Sequence, residues 1–176
     1  EGNGTGEGMY LGSNFGVTWV RNSVFAQNHV YNCGGVQGDG IELKQGSYNN
    51  HIVENVVHDT NYPSIIAYGT GGEGLNLIEQ NICYRSTDTV LQVQGEAIVR
   101  NNSLIAAQGS GFASTDHQGK TARLTFVHNT IISRRRGANL SSWNGRHAMI
   151  FANNVVYTDR GEALRFPRGS QGVIVS

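Results

Sequence analysis

The chain has 176 residues, and its 13 basic residues balance its 13 acidic ones, so charge gives no case for nucleic acid or an anionic membrane as partner. No apolar run approaches the roughly 18 to 20 residues that a membrane-spanning helix needs. Twenty-four glycines and only two prolines indicate one soluble domain, residues 1–176, that is rich in tight corners.

An apolar-x-x-Asn-x-apolar frame recurs along the whole chain. The copies, in chain order, are FAQNHV (25–30), IVENVV (52–57), IEQNIC (78–83), VRNNSL (99–104), FVHNTI (126–131) and FANNVV (151–156). Their asparagines are Asn28, Asn55, Asn81, Asn102, Asn129 and Asn154. Subtraction gives separations of 27, 26, 21, 27 and 25 residues. A period in the twenties is typical of a solenoid.

The repeat predicts a parallel β-helix of about seven coils, each with three short strands. Leucine-rich repeats have a similar period, but the copies lack the L-x-x-L-x-L run and show no helical spacing. Asparagine tolerates the left-handed backbone region, and its amide can bond to the amide of the next coil. We therefore expect the six asparagines at the corners to form an internal ladder that stabilises the fold.

The first strand of each coil is expected to begin near a glycine and to alternate its side chains between core and surface. Inward positions are Ile41, Leu43, Leu91, Val93, Ala138, Leu140, Leu164 and Phe166, and outward positions are Tyr10, Glu42, Gln92, Asn139 and Arg165. The strand in 64–68 is ambiguous by one residue, which leaves its facing open. The loops that follow these strands, 45–50, 69–75, 116–123 and 142–147, vary most and predict the working face.

Several features have plain structural interpretations. Cys33 and Cys83 fall about two coils apart, so a disulfide is not expected, and Cys83 is predicted to be a buried thiol. Arg134, Arg135 and Arg136 are interpreted as a solvated turn after a strand. The sequence starts and stops within coils, so we expect an excerpt of a longer chain whose open ends are covered by a capping domain or by a second copy.

Seven motifs carry a resemblance to a known family. They are GDGIELKQGSYNN (38–50), HDTNYP (58–63), YGTGG (68–72), HQG (117–119), HNT (128–130), WNGR (143–146) and ANN (152–154). Together they resemble secreted bacterial right-handed parallel β-helix repeat proteins of the pectate-lyase-like superfamily. The resemblance implies an all-β, right-handed parallel β-helix, a secreted, periplasmic or cell-surface location, and a polysaccharide as partner. Fold alone does not select an activity.

A polysaccharide lyase needs a base and a group that neutralises the uronate carboxylate. For such a site we expect Lys44 or His117 as the base and Arg146 as the carboxylate partner. The residues expected to bind substrate are Glu42, Gln92, Gln94, Asp116 and Trp143. No cysteine and histidine cluster has metal-ligand spacing. Calcium at Asp39 and Glu42 is conceivable, but two side chains fall short of the roughly six to eight oxygens that calcium takes.

Each of these residues also has an interpretation without chemistry. Glu42 and Lys44 could be a solvated pair, Asp116 and His117 a loop scaffold, and Trp143 the cover of an apolar gap. His58 falls in a column of Tyr31, Tyr84, Ile105, Ile132 and Tyr157, where stacking is favoured over catalysis. Two hypotheses follow. The first is a carbohydrate-active enzyme, for which a lyase is favoured over a glycoside hydrolase. The second is a non-catalytic rod that serves as a carbohydrate-binding protein, an adhesin or a scaffold. Convergence of the charged residues in one groove would favour the enzyme.

Overall fold

The computed structural model describes residues 6–14, 16–106 and 108–176. Within these ranges every regular element is a β-strand, and the strands form three parallel sheets. Each sheet takes every third strand of the chain, because the chain visits the three sheets in turn and then begins the next coil. The architecture is the predicted parallel β-helix, and no helix that could cross a membrane occurs in the part of the chain described.

The strands are assigned to the sheets as follows. The first sheet contains β1 (Met9–Leu11), β4 (Ile41–Leu43), β7 (Ile65–Ala67), β10 (Leu91–Val93), β13 (Ser110–Ser114), β16 (Arg136–Leu140) and β19 (Leu164–Arg165). The second contains β2 (Val24–Ala26), β5 (His51–Val53), β8 (Asn76–Glu79), β11 (Ala97–Arg100), β14 (Leu124–Val127), β17 (Met149–Ala152) and β20 (Val173–Val175). The third contains β3 (His29–Cys33), β6 (Val56–Thr60), β9 (Ile82–Ser86), β12 (Ser103–Ala106), β15 (Thr130–Ser133) and β18 (Val155–Thr158). From β1 to β19 the described chain makes about six turns.

The core is a stack of equivalent apolar side chains, one from each coil. In the first sheet Ile41 pairs with Ile65, and Ile65 pairs with Leu91, and all three side chains are fully buried. The register resolves the ambiguous third coil, since Ile66 takes the outward position between Glu42 and Gln92. The predicted inward and outward positions of the first sheet are therefore confirmed, and a continuous outward row runs along the rod.

The asparagine ladder is confirmed in all six copies. The side-chain amides of the first five asparagines each donate to the Oδ1 of the next asparagine, at 2.9 to 3.2 Å. The same five Oδ1 atoms, from Asn55 to Asn154, also accept the backbone N–H of the preceding asparagine in the column. The predicted backbone conformation was wrong by one residue. The left-handed residues are those just before the ladder: Gln27, Glu54, Gln80, Asn101, His128 and Asn153. These side chains point away from the core, which leaves the asparagine amide free to face inward.

Both cysteines are buried free thiols, as the sequence predicts. Burial raises the pKa of the Cys83 thiol well above its usual range. The site residue Trp143 is also part of the core, where its side chain is fully buried. Its predicted sugar-stacking role is therefore wrong, and its alternative interpretation, the cover of an apolar gap, matches the structure.

Candidate functional site

A cleft of about 630 Å³ lies over the first sheet and contains four of the predicted site residues, Glu42, Lys44, Gln92 and His117. Its floor contains outward residues of β4, β7 and β10, and one wall consists of the corners that precede these strands. His117 and Gln118, from the loop after β13, form the opposite wall. We call this cavity the carboxyl cleft, because Asp39, Glu42 and Asp88 line it.

Asp39 lies in a corner between Gly38 and Gly40, where the structure has no room for a side chain at either glycine. A Cβ at Gly38 would lie 2.2 Å from the carbonyl oxygen of Cys33, and one at Gly40 would lie 2.2 Å from Cγ1 of Val57. The two glycines let the chain press against these groups and hold Asp39 at the cleft wall. The Asp39 side chain is 3 % exposed, and its Oδ1 has no hydrogen-bond partner in the described residues.

The environment of Asp39 favours its neutral form. Burial first, and then the nearby Glu42 carboxylate, raise the pKa of the Asp39 carboxyl to about 8 against the opposing effect of Lys44. Burial has this sign because the charged form loses its hydration, and a neighbouring negative charge adds repulsion. Asp39 is therefore a carboxylic acid at neutral pH, able to donate a proton.

Glu42 and Lys44 form an ion pair at the floor of the cleft. Lys44 Nζ donates to Glu42 Oε1, and each side chain is only 5 % exposed, so the alternative of a solvated pair is wrong. The Lys44 ammonium lies 4.6 Å from the ring centre of Tyr10 and 5.1 Å from that of Tyr68. Tyr68 Oη donates to the same Glu42 oxygen at 3.3 Å. Lys44 and Tyr68 thus hold the Glu42 carboxylate in one position by their hydrogen bonds, and the rings of Tyr10 and Tyr68 hold the Lys44 ammonium.

The remaining cleft residues come from a strand and a loop. Gln92 is two strands from Glu42 in the outward row, at the floor of the cleft. The exposed His117 ring stacks on Tyr68, with centroids 5.4 Å apart. Gln94 does not share the cleft, because it is buried under the loop 116–123, where a Cβ at Gly119 would lie 2.8 Å from its Nε2.

Asp116 and Arg146 form a structural pair outside the cleft. Arg146 Nη2 donates to Asp116 Oδ2 at 2.7 Å, and Asp116 Oδ1 accepts the backbone N–H of Thr121 at 2.8 Å. Asp116 therefore shapes the loop that carries His117, in agreement with the scaffold interpretation. Arg146 is bound by this carboxylate and does not line the carboxyl cleft. Convergence is thus partial: Glu42, Lys44 and His117 meet in the cleft.

His58 lies on the third sheet, in the stacked column that the sequence predicts. Its ring stacks between Tyr31 and Tyr84, with centroids 5.5 and 4.6 Å away. His58 Nδ1 contacts Asp59 Oδ2 at 2.6 Å. Hydrogen bonds from Arg85 and His58 lower the pKa of Asp59 to about 2, so this carboxylate stays ionised. The group stabilises the outer surface of the third sheet, away from the cleft.

The cleft residues that sequence reasoning missed include Asp39 as a proton donor, Tyr62, Tyr68 and Asp88. For Asp39 the signal was its place between Gly38 and Gly40, since paired glycines mark a position where the backbone is crowded. Tyr68 depended on the strand facing that the sequence left open. Asp88 and Tyr62 lie in corners between strands, where the sequence has no periodic pattern that predicts the direction of a side chain.

The cleft offers acid–base chemistry and hydrogen bonds, without a metal centre. Within the described ranges, no three histidine, cysteine or carboxylate residues gather closely enough to hold a metal ion. Glu42 already binds the Lys44 ammonium and Asp39 is protonated at neutral pH, so the calcium site considered for these two lacks free carboxylates. The chain matches no protein-family model, no curated protein and no solved structure.

Proposed function

We propose that the chain is a carbohydrate-active β-helix protein that binds a polysaccharide across the carboxyl cleft and hydrolyses a glycosidic bond there. The observation that carries this proposal is the pair of carboxyl groups in one cleft, Asp39 held neutral and Glu42 held as a carboxylate. Two carboxyl groups with opposite protonation are the usual equipment for glycoside hydrolysis.

The rest of the lining supports a saccharide as ligand. Side-chain amides of Asn14, Gln37, Gln92 and Gln118 face the cleft, together with Tyr62. Amides both donate and accept hydrogen bonds, which suits the hydroxyl groups of a sugar, and an aromatic ring suits its apolar face. The cleft also follows the outward row along the rod, so a polymer parallel to the rod would contact several coils. A secreted or surface-exposed location, as the family resemblance implies, is part of this proposal.

In the proposed reaction Asp39 donates its proton to the glycosidic oxygen as the bond from that oxygen to the sugar carbon breaks. Glu42 supplies the negative charge that stabilises the positive charge developing on the sugar, and water adds to the carbon and returns a proton to the Asp39 carboxylate. Lys44 and Tyr68 hold Glu42 in place through their hydrogen bonds. The balance is one water consumed and one new reducing end formed for each bond cleaved.

Two contacts weigh against the β-elimination that the sequence favoured. Lys44 is engaged with Glu42 between two tyrosine rings, so its nitrogen is not free to take a proton. Arg146 is engaged with Asp116 and does not reach the cleft lining as a partner for a uronate carboxylate. His117, exposed at the cleft wall, is the base that remains for this chemistry.

A non-catalytic carbohydrate-binding rod is the second candidate. It is favoured by the buried contacts of Glu42, whose carboxylate is already bound by Lys44 and Tyr68. Under this alternative the same cleft would bind a sugar and leave its glycosidic bonds intact. Adhesin or scaffold roles belong to the same class, because they need binding alone.

The test is to incubate the protein with pectate, alginate, chondroitin, heparan and neutral glucans and to follow two products. Hydrolysis gives new reducing ends without ultraviolet absorbance, whereas β-elimination gives an unsaturated product that absorbs. We expect reducing ends that disappear in Asp39→Asn and Glu42→Gln and persist in Glu54→Gln. Glu54 is the matched control, since it is an exposed carboxylate on the corner before the asparagine ladder. Absorbance that is lost in His117→Ala would establish β-elimination instead, and binding without either product would establish the non-catalytic rod.

A further inference from the structure

A second cleft, of about 510 Å³, lies along the same corner as the carboxyl cleft. Asp88 lines both cavities, so the two clefts are neighbours on one face of the rod. Arg135, Arg136 and Arg160 line the second cleft, and we call it the arginine cleft. The sequence interpreted Arg134, Arg135 and Arg136 as a solvated turn, whereas Arg136 begins β16 and two of the three line a cavity.

Two glycines line the arginine cleft where successive coils touch. A Cβ at Gly109 would lie 2.4 Å from the carbonyl oxygen of Asp88, and one at Gly161 would lie 1.6 Å from that of Arg135. Both distances are too short for any residue except glycine, so the concavity at these two points depends on the coil stacking.

Three arginines line this cleft together with two acidic residues, Asp88 and Glu162, which leaves an excess of one positive charge. Among the residues that the structure describes, neither Arg135 nor Arg136 makes an ion pair, while Arg160 lies 3.4 Å from Asp159. Glu162, which also lines the cleft, lies 3.6 Å from Arg165. Guanidinium groups bind planar and tetrahedral oxyanions through paired hydrogen bonds, so the free pair suits a carboxylate or a sulfate.

Asn139 fixes the position of this cleft on the outward row. Its Oδ1 is buried without a hydrogen-bond partner in the described part of the chain. An amide oxygen accepts hydrogen bonds, so this atom suits a sugar hydroxyl and the arginines are the groups that suit an oxyanion. The row continues from Glu42 through Ile66, Gln92 and Ala113 to Asn139. Four strand spacings separate Glu42 from Asn139, which is about 19 Å. A short oligosaccharide parallel to the rod would span both clefts.

Acidic groups line the carboxyl cleft and basic groups line the arginine cleft, and this arrangement favours some polyanions over others. A nucleic acid or a uniform polyuronate would place negative charge over the Glu42 and Asp88 carboxylates as well, and these two groups would repel it. A chain with acidic groups at intervals avoids that repulsion, because its neutral units can lie over the carboxyl cleft.

We propose that the arginine cleft, through Arg135, Arg136 and Arg160, binds a carboxylate or sulfate group of a heteropolysaccharide whose neighbouring neutral units lie in the carboxyl cleft. This inference rests on the proposed polysaccharide function and specifies its substrate class. The carboxylate and sulfate sources share one chemistry, and the ligands of the test separate them.

The experiment measures binding of fluorescently labelled oligosaccharides at an ionic strength of about 0.15 M, where distant surface charges are screened. The probes are chondroitin sulfate, unsulfated chondroitin and carboxyl-reduced, desulfated chondroitin. Arg135→Gln/Arg136→Gln is compared with Arg134→Gln/Arg168→Gln, which removes two exposed arginines that do not line the cleft. We expect about tenfold or greater loss of affinity for the acidic probes in the cleft variant, no change for the neutral probe, and little change in the control.

The outcomes separate this inference from the proposed hydrolysis. A loss confined to chondroitin sulfate identifies sulfate as the bound group, and a loss with both acidic probes identifies carboxylate. Equal losses in the two double variants, or wild-type protein that binds acidic and neutral probes alike, would overturn the arginine subsite while leaving hydrolysis to its own assay. Arginine-dependent binding without any bond cleavage would support the subsite and refute the hydrolysis. No binding of any probe would refute the subsite as proposed, and hydrolysis would still be decided by its own assay.

Discussion

Replacing Asp39 with asparagine tests whether a buried carboxylic acid stands in the carboxyl cleft. The substitution keeps the shape of the side chain and removes its titration. In the folded protein burial raises the pKa of Asp39 from 3.8 to about 8. Between these two pH values the folded chain carries a proton on Asp39 that the unfolded chain has lost.

The sign of the effect follows from proton counting. Because the folded state binds more protons than the unfolded state in this window, the free energy of unfolding falls as pH rises, by about 1.4 kcal/mol per pH unit. The amide of the Asp39→Asn variant would add no such dependence. The difference in stability between variant and wild type should therefore move in favour of the variant by about 2.7 kcal/mol from pH 5 to pH 7. If the amide of the Asp39→Asn variant destabilises the corner by an amount that does not depend on pH, that amount cancels when the stability differences at pH 5 and pH 7 are subtracted.

Urea unfolding at pH 5, 6 and 7 provides the measurement, and the fully buried Trp143 supplies a fluorescence probe of the core. Asp159→Asn is the control, because Asp159 is exposed and its variant should differ from wild type by the same amount at every pH. A flat difference for Asp39→Asn would mean that Asp39 is ionised throughout. That result would remove the proton donor and refute the hydrolytic mechanism.

Two further predictions concern the stacked core. Asn81→Ala leaves two buried donors of the preceding asparagine without acceptors and should cost about 2 to 5 kcal/mol, whereas Asn154→Ala at the partly exposed end of the ladder should cost less. Urea titration measures both, and equal costs would contradict a cooperative internal ladder. Burial raises the pKa of the Cys33 and Cys83 thiols, so a thiol reagent should label neither in the native protein and both in urea. Rapid native labelling would show that the core opens.

The fold was predictable because each coil repeats one physical requirement. An inward apolar residue, a corner asparagine and a second inward apolar residue stack on their equivalents, and Ile52, Asn55 and Val57 show all three. A second asparagine ladder, only two residues long, was missed: Asn50 Nδ2 donates to Asn76 Oδ1 at 3.2 Å. Only two coils carry it, so it gives no repeat along the sequence.

The site was predicted less well, because it depends on corners and loops rather than on the repeat. Glu42, Lys44 and Gln92 were found since strand alternation places them outward, and the structure brings these three to one cleft floor. Trp143 was misplaced, because a tryptophan in a glycine-containing loop can fold in either direction. The protonation of Asp39 depends on burial by residues distant in sequence, which the local pattern does not encode.

Asp88 lines both clefts, so its carboxylate contributes negative charge to each of them. Its carboxylate is among the negative groups that raise the pKa of Asp39, and it also lines the arginine cleft. An acidic group bound by Arg135 and Arg136 would add negative charge beside Asp88. The clefts are centred about 19 Å apart, beyond the screening length of roughly 8 Å at physiological ionic strength, so burial and the neighbouring carboxylates determine the protonation of Asp39. On the proposed function, the arginine cleft would therefore select and position an acidic unit, while the cleavage itself depends on the carboxyl cleft.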